Sequence, residues 1–116
     1  MDIEEIREYC LKKRKVTESF PFNETVLVFK VMDKMFLLTD LESPSTINLK
    51  CDPEYAVELR EKHDAIVPGY HMSKKHWNTV DITGSLPKKL IISLIDHSYD
   101  QVVLSLPAKV RKELGA

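Results

Sequence analysis

Residues 25–31 and 35–39 are runs of β-branched, aromatic and aliphatic side chains, and only Met32, Asp33 and Lys34 separate them. A gap that short joins two strands in one way, as an antiparallel hairpin. A lone hairpin is marginal in water, because it cannot cover its own apolar face. The rest of the chain must therefore supply more strands and a covering layer.

Ser43-Pro44-Ser45 reads as a turn, and residues 46–50 as a third strand with Ile47 and Leu49 on one side. Residues 66–71 read as a strand broken by Pro68-Gly69, and residues 77–82 as its partner. Residues 72–76 are then an exposed connection. Helical spacing of Ile3, Ile6, Tyr9 and Cys10, with Asp2 and Glu5 as a capping pair, predicts a helix over residues 3–14. It ends in Lys12-Lys13-Arg14-Lys15, cations that complement the negative end of the helix dipole; the alternative is a phosphate-binding arm. Asp52-Pro53 starts a second helix that runs to about His63 and turns Ala56 and Leu59 inward. Ser85 and Pro87 open a long helix whose apolar stripe includes Leu86, Leu90, Ile91, Leu94, Ile95, Val102 and Leu106, with a kink expected near Ser98. Pro107 stops it and begins a short basic helix through about Leu114. The order α-β-β-β-α-β-β-α-α predicts an α+β, two-layer domain: an antiparallel sheet of about five strands with helices packed on one face. Its 116 residues suit one domain, 1–116, around one core.

The formal charge is −1 with a pI near 6.4, so any nucleic-acid reading must rest on how charge is distributed. Between residues 66 and 95, Lys74, Lys75, Lys88 and Lys89 face Asp81 alone. No apolar stretch approaches the roughly 20 residues of a membrane span, and the acidic opening is no signal peptide. A cytoplasmic monomer is expected. Cys10 and Cys51 are too few for a disulfide scaffold and read as buried free thiols.

Functional residue types concentrate in Pro68-Gly69-Tyr70-His71-Met72-Ser73-Lys74-Lys75-His76-Trp77, which holds no acid. Lysines that grip phosphate stand beside rings that stack on bases. Each element also has a plain structural reading: Lys74 and Lys75 as a solvated loop, His71 and His76 as satisfied histidines, Tyr70 and Trp77 as rings closing the edge of a core. Lys30 and Lys34 flank the hairpin turn as wing contacts, or as lysines that keep edge strands from pairing. Phe20, Phe22, Phe29 and Phe36 are assigned to packing.

Four segments together resemble the MmcQ/YjbR family: Ser19 to Phe22 with Val28 to Val31 and Lys34 to Phe36; Leu49 to Glu54; Pro68 to Val80; and Ser98-Tyr99. The resemblance implies a compact fold similar to frataxin (CyaY) and to type III secretion chaperones. It also implies DNA binding through a double wing of strands and loops. This chain has Ser73 where the family pattern typically has Asn, and Asp33 where Gly is common. Losing that amide leaves phosphate contact better supported than base reading.

Enzymatic chemistry finds little footing, and the chain is expected not to be an enzyme. It has no Gly-rich phosphate loop, no HExxH and no Gly-x-Ser-x-Gly elbow. His71 and His76 lack the nearby ligands of a zinc site, so no metal or other cofactor is expected. Asp96 and His97, adjacent on a helix, point about 100° apart and do not converge. A reactive thiolate at Cys51 competes with plain burial. The sequence thus points to a DNA-binding protein using Lys74, Lys75, His76, Lys30, Lys34, Lys88 and Lys89, with Tyr70, His71 and Trp77 shaping the surface. The alternatives are a protein- or peptide-interaction module, and a small-molecule sensor with a pocket near Tyr70, His71 and Trp77.

Overall fold

A computed structural model describes residues 1–69 and 72–115. The elements are α1 (Ile3–Leu11), β1 (Val16–Ser19), β2 (Val26–Val31), β3 (Lys34–Asp40), β4 (Thr46–Lys50), α2 (Pro53–Lys62), β5 (Ile66–Pro68), β6 (Trp77–Asp81), α3 (Lys88–Ser105) and α4 (Ala108–Glu113). The strands form one antiparallel sheet in the order β1-β2-β3-β4-β6-β5. The α+β architecture is as expected, with six strands instead of five.

The additional strand is β1. Helix α1 stops at Leu11 and not at residue 14, its last turn holds no basic residue, and Lys15 takes a left-handed φ of 59° that reverses the chain. Val16 and Thr17, both β-branched, then pair with Val31 and Lys30. The basic run is therefore a connection, with Lys12 as the helix C-cap and not part of the final turn. Strand β5 likewise ends at Pro68; Tyr70 and His71, expected to extend it, lie outside the described residues.

The caps read from the sequence form. Asp2 Oδ1 accepts from the Glu5 N–H at 2.9 Å, with Glu5 returning to the Asp2 N–H at 3.3 Å. Asp52 Oδ2 accepts from the N–H groups of Glu54 and Tyr55. The β2–β3 turn holds Met32 and Asp33 at φ of 48° and 67°, the two positive angles of a turn that matches strand twist.

Leu27, Phe29, Val31, Leu37, Ile47, Leu49 and Val80 line the helix-covered face, where they meet Ile6, Cys10, Ala56, Leu59, Ile91, Ile95 and Val102. Helix α3 runs unbroken through Ser98. That hydroxyl is buried, donates to the Phe36 carbonyl and accepts from the Lys50 N–H, so the helix is bolted to β3 and β4. Among the described residues, Val28 and Trp77 are the buried apolar side chains outside the core cluster. Alternation along β2 and β6 places them on the opposite, helix-free face. Phe29 and Phe36 are fully buried, but Phe20 and Phe22 are 47% and 61% exposed, contrary to their assignment to packing. They sit in the β1–β2 connection, beyond the reach of the helical layer.

Candidate nucleic-acid interface

Antiparallel pairing decides which loops are neighbours. The start of β1, the β2–β3 turn, the end of β4 and the β5–β6 connection all fall at one end of the sheet. Lys15, Lys34, Lys50, Lys74, Lys75 and His76 gather there, with Lys30 one residue inside; the carboxylates among them are Asp33, Asp52 and Glu54. At the other end, the turns carry Glu24, Asp40, Glu42, Asp64 and Asp81, beside the acidic start of α1, and these acids outnumber Lys62, Lys88 and Lys89 there. A chain with almost no net charge is thus sorted into a basic end and an acidic end.

Lys34, Lys74, Lys75 and His76 are exposed, and Lys30 and Lys50 are half-buried. Among the described residues, the ion pairs are Arg7–Glu18, Lys13–Asp96 and Lys88–Glu5, so none of the basic-end lysines is neutralised by a direct partner. Lys75 does share a shallow groove with Glu54 and Glu58 of α2. A polyanion therefore meets less repulsion from the sheet end than from the side of α2.

The loop that presents Lys74 and Lys75 is held from several directions. Arg60 on α2 donates Nε to Asn78 Oδ1 at 2.6 Å and Nη2 to the carbonyls of Lys74 and Trp77. The Cys51 N–H donates to the His76 carbonyl at 2.7 Å, and the Trp77 N–H to the Ser73 carbonyl at 2.9 Å. Across the hairpin, the Gly69 N–H donates to the Trp77 carbonyl at 2.8 Å. A Cβ at Gly69 would stand 2.8 Å from Trp77 Cβ, so only glycine admits this approach. Trp77 is 8% exposed and opposite Lys50 across the strands, so its ring packs at the base of the loop.

Lys88 and Lys89 do not join this group. Lys88 Nζ is 2.7 Å from Glu5 Oε2, and the Met1 ammonium reaches the Ile82 carbonyl just past β6, so the start of α3 lies at the acidic end. The Lys88 contact holds the Glu5 carboxyl below the usual carboxylate range. Tyr70 and His71 lie outside the described residues. Lys15 was read only as part of the alternative phosphate-binding arm, and Lys50 and Arg60 were missed by sequence reasoning. Lys50 was recoverable once its strand was placed beside that of Trp77, whereas nothing local marks Arg60 as a clamp.

The other chemical candidates resolve into structural roles. Asp96 accepts from Tyr9 Oη and Lys13 Nζ, both at 2.6 Å, while His97 Nε2 accepts from the Asp52 N–H at 3.1 Å and packs edge-on to Tyr55. The two side chains serve different neighbours. Both cysteines are free and buried; burial pushes the Cys51 thiol up to about 11 and the Cys10 thiol up to about 12. No group of three or more His, Cys, Asp or Glu side chains able to hold a metal occurs among the described residues, and no helix of theirs is long and apolar enough to cross a membrane.

Comparison with known proteins gives a consistent placement. The YjbR family profile matches residues 11–101. The chain is 37% identical over 115 residues to Uncharacterized protein YjbR of Escherichia coli (strain K12), covering 98% of both chains. A crystal structure of a Deinococcus radiodurans protein with the family domain DUF419 superposes with a TM-score of 0.91 at 40% identity, covering 98% of this chain and 88% of that one. A Pseudomonas syringae protein of known crystal structure gives 0.75 at 32% identity over 87% of this chain and 98% of that one. On these matches the chain belongs to the YjbR family, the MmcQ/YjbR group that its sequence resembles.

Proposed function

We propose that this protein is a non-enzymatic, cytoplasmic DNA-binding protein that grips the phosphate backbone with the basic end of its sheet. The observation that carries the reading is the sorting of charge between the two sheet ends in a chain of net charge −1. Lys34 on the β2–β3 turn and Lys74 and Lys75 on the β5–β6 connection are the outer contacts. Lys30 and Lys50 lie between them, and His76 adds a donor. Trp77 shapes the base of the loop and is too enclosed to stack on a base without rearrangement.

Phosphate contacts fix position and carry no sequence information. Ser73 offers a hydroxyl where a base-reading amide would stand, so the proposal is sequence-tolerant binding. About three phosphate contacts give a slope of log affinity against log salt near −3. Fluorescence anisotropy with a labelled duplex at two salt concentrations tests this: K74E/K75E should weaken binding by an order of magnitude and flatten the slope. Equal binding by wild type and variant removes the loop from the interface.

A second reading, a protein- or peptide-interaction module, is favoured by one observation. Phe20, Phe22 and Leu41 are exposed in connections at the acidic end, where the Leu41 N–H donates to the Thr25 carbonyl and draws the two connections together. That surface is spatially separate from the lysines.

A further inference from the structure

From the position of α4 we infer a second phosphate-contact patch, built from Arg14, Lys15, Lys109, Arg111 and Lys112, that extends the basic end past β1. This rests on the DNA reading above and enlarges its footprint. Helix α4 packs Val110 against the core and is followed by a buried C-cap, Leu114, an arrangement that turns Lys109 and Lys112 outward. Val110 borders one groove with Lys15, Val16, Met32 and Asp33, so the helix stands beside the β2–β3 turn at the basic end. The neighbouring connection is held by Tyr99, whose hydroxyl donates to the Arg14 carbonyl at 2.8 Å.

Arg14 reaches across to the end of α4. Its Nη1 would be 2.7 Å from a Cβ on Gly115, which has a φ of +75° and leaves room for the guanidinium. Arg111 Nε is buried with no hydrogen-bond partner among the described residues. A small rotation toward solvent exchanges that unsatisfied donor for a forked contact with phosphate, the geometry arginine suits. The ion pairs of the described residues leave all five cations free of direct partners, and among those residues the nearby carboxylates include Asp33, Asp100 and Glu113.

The Lys74–Lys75 loop and the second patch lie at opposite sides of a six-stranded sheet, with Lys34 between them. Five inter-strand spacings of about 4.8 Å place them about 24 Å apart, the axial length of about seven base pairs. The ligand that meets both is a linear polyanion at least that long, with duplex DNA the one already argued.

Anisotropy with a 24-base-pair duplex across a salt series, on wild type, K109E/K112E and K74E/K75E, tests the extension; circular dichroism melts confirm that each variant folds. All four lysines are exposed, so their reversal leaves the core intact. The expected result is that K109E/K112E binds about tenfold or more weakly and loses about two units of salt slope. Wild-type affinity and slope in K109E/K112E, with binding lost in K74E/K75E, overturns the second patch and leaves the first standing. No binding by wild type, or no change in either variant, overturns both.

Discussion

Arg60 Nε lies 2.6 Å from Asn78 Oδ1, and this bond ties a helix to the strand that carries the lysine loop. The same guanidinium holds the carbonyls of Lys74 and Trp77 through Nη2. Residues 74–78 are thereby held before any ligand arrives, which lowers the entropy lost on binding.

Arg60→Met retains much of the aliphatic stem and removes the donors. Hydrogen bonds to charged groups contribute about 1.5–3 kcal/mol, so a drop in stability of that order is expected. Amide hydrogen exchange should quicken over residues 73–77 more than in β2 or α3. Unchanged exchange there would show that the loop is held without the clamp.

Gly69→Ala tests the close approach to Trp77. The new methyl would meet Trp77 Cβ and backbone, where nothing flexible can yield. A loss of about 1–3 kcal/mol, as for overpacking elsewhere, should appear in denaturant melts. The single tryptophan supplies the readout: its emission should be blue-shifted in the native wild type and move to the red in the variant.

Asp33→Gly relieves a positive φ of 67° and removes the carboxylate beside Lys34. Two effects on different links of the argument should coincide. Thermal stability should rise slightly, by up to about 1 kcal/mol, since glycine suits the left-handed region. Affinity for duplex DNA should rise at low salt and converge on wild type at high salt.

The two thiols provide a test by pH. With thiols pushed up to about 11 and 12 by burial, the folded protein should react slowly with a disulfide reagent at pH 8 and rapidly after unfolding. For stability, the unfolded thiols ionise at lower pH than the folded ones. Their contribution is present below about pH 8.5 and falls away as pH rises toward 11–12. Urea midpoints should therefore decline through that range, and Cys10→Ala plus Cys51→Ala should lessen the pH-dependent part of the decline.

The architecture was largely legible because its signals are local. Asp2 with Glu5, and Asp52 before Pro53, mark helix starts through bonds made within three residues. Strand β4, read as residues 46–50, matches because its Ile and Leu alternate with polar side chains. Strand β1 was not legible: it is four residues long, and the reversal before it falls on Lys15, a residue type with no preference for positive φ. The lysine loop was recognisable by composition and Lys15 was read as part of a possible phosphate-binding arm, but that Lys15 and Lys50 join the loop was not legible, since strand order alone brings them together. Lys88 belongs to the same basic stretch of sequence as Lys74, yet β6 carries the chain across the whole sheet between them.

Chemical-shift mapping by NMR, with a short duplex added to isotope-labelled protein at low salt, addresses the sorted-charge account most directly. Amide signals of residues 34, 50 and 73–77 should move in a salt-reversible way, while those of residues 40–45 and 81–85 stay in place. Shifts confined to the acidic end, or no shifts at all, would contradict it.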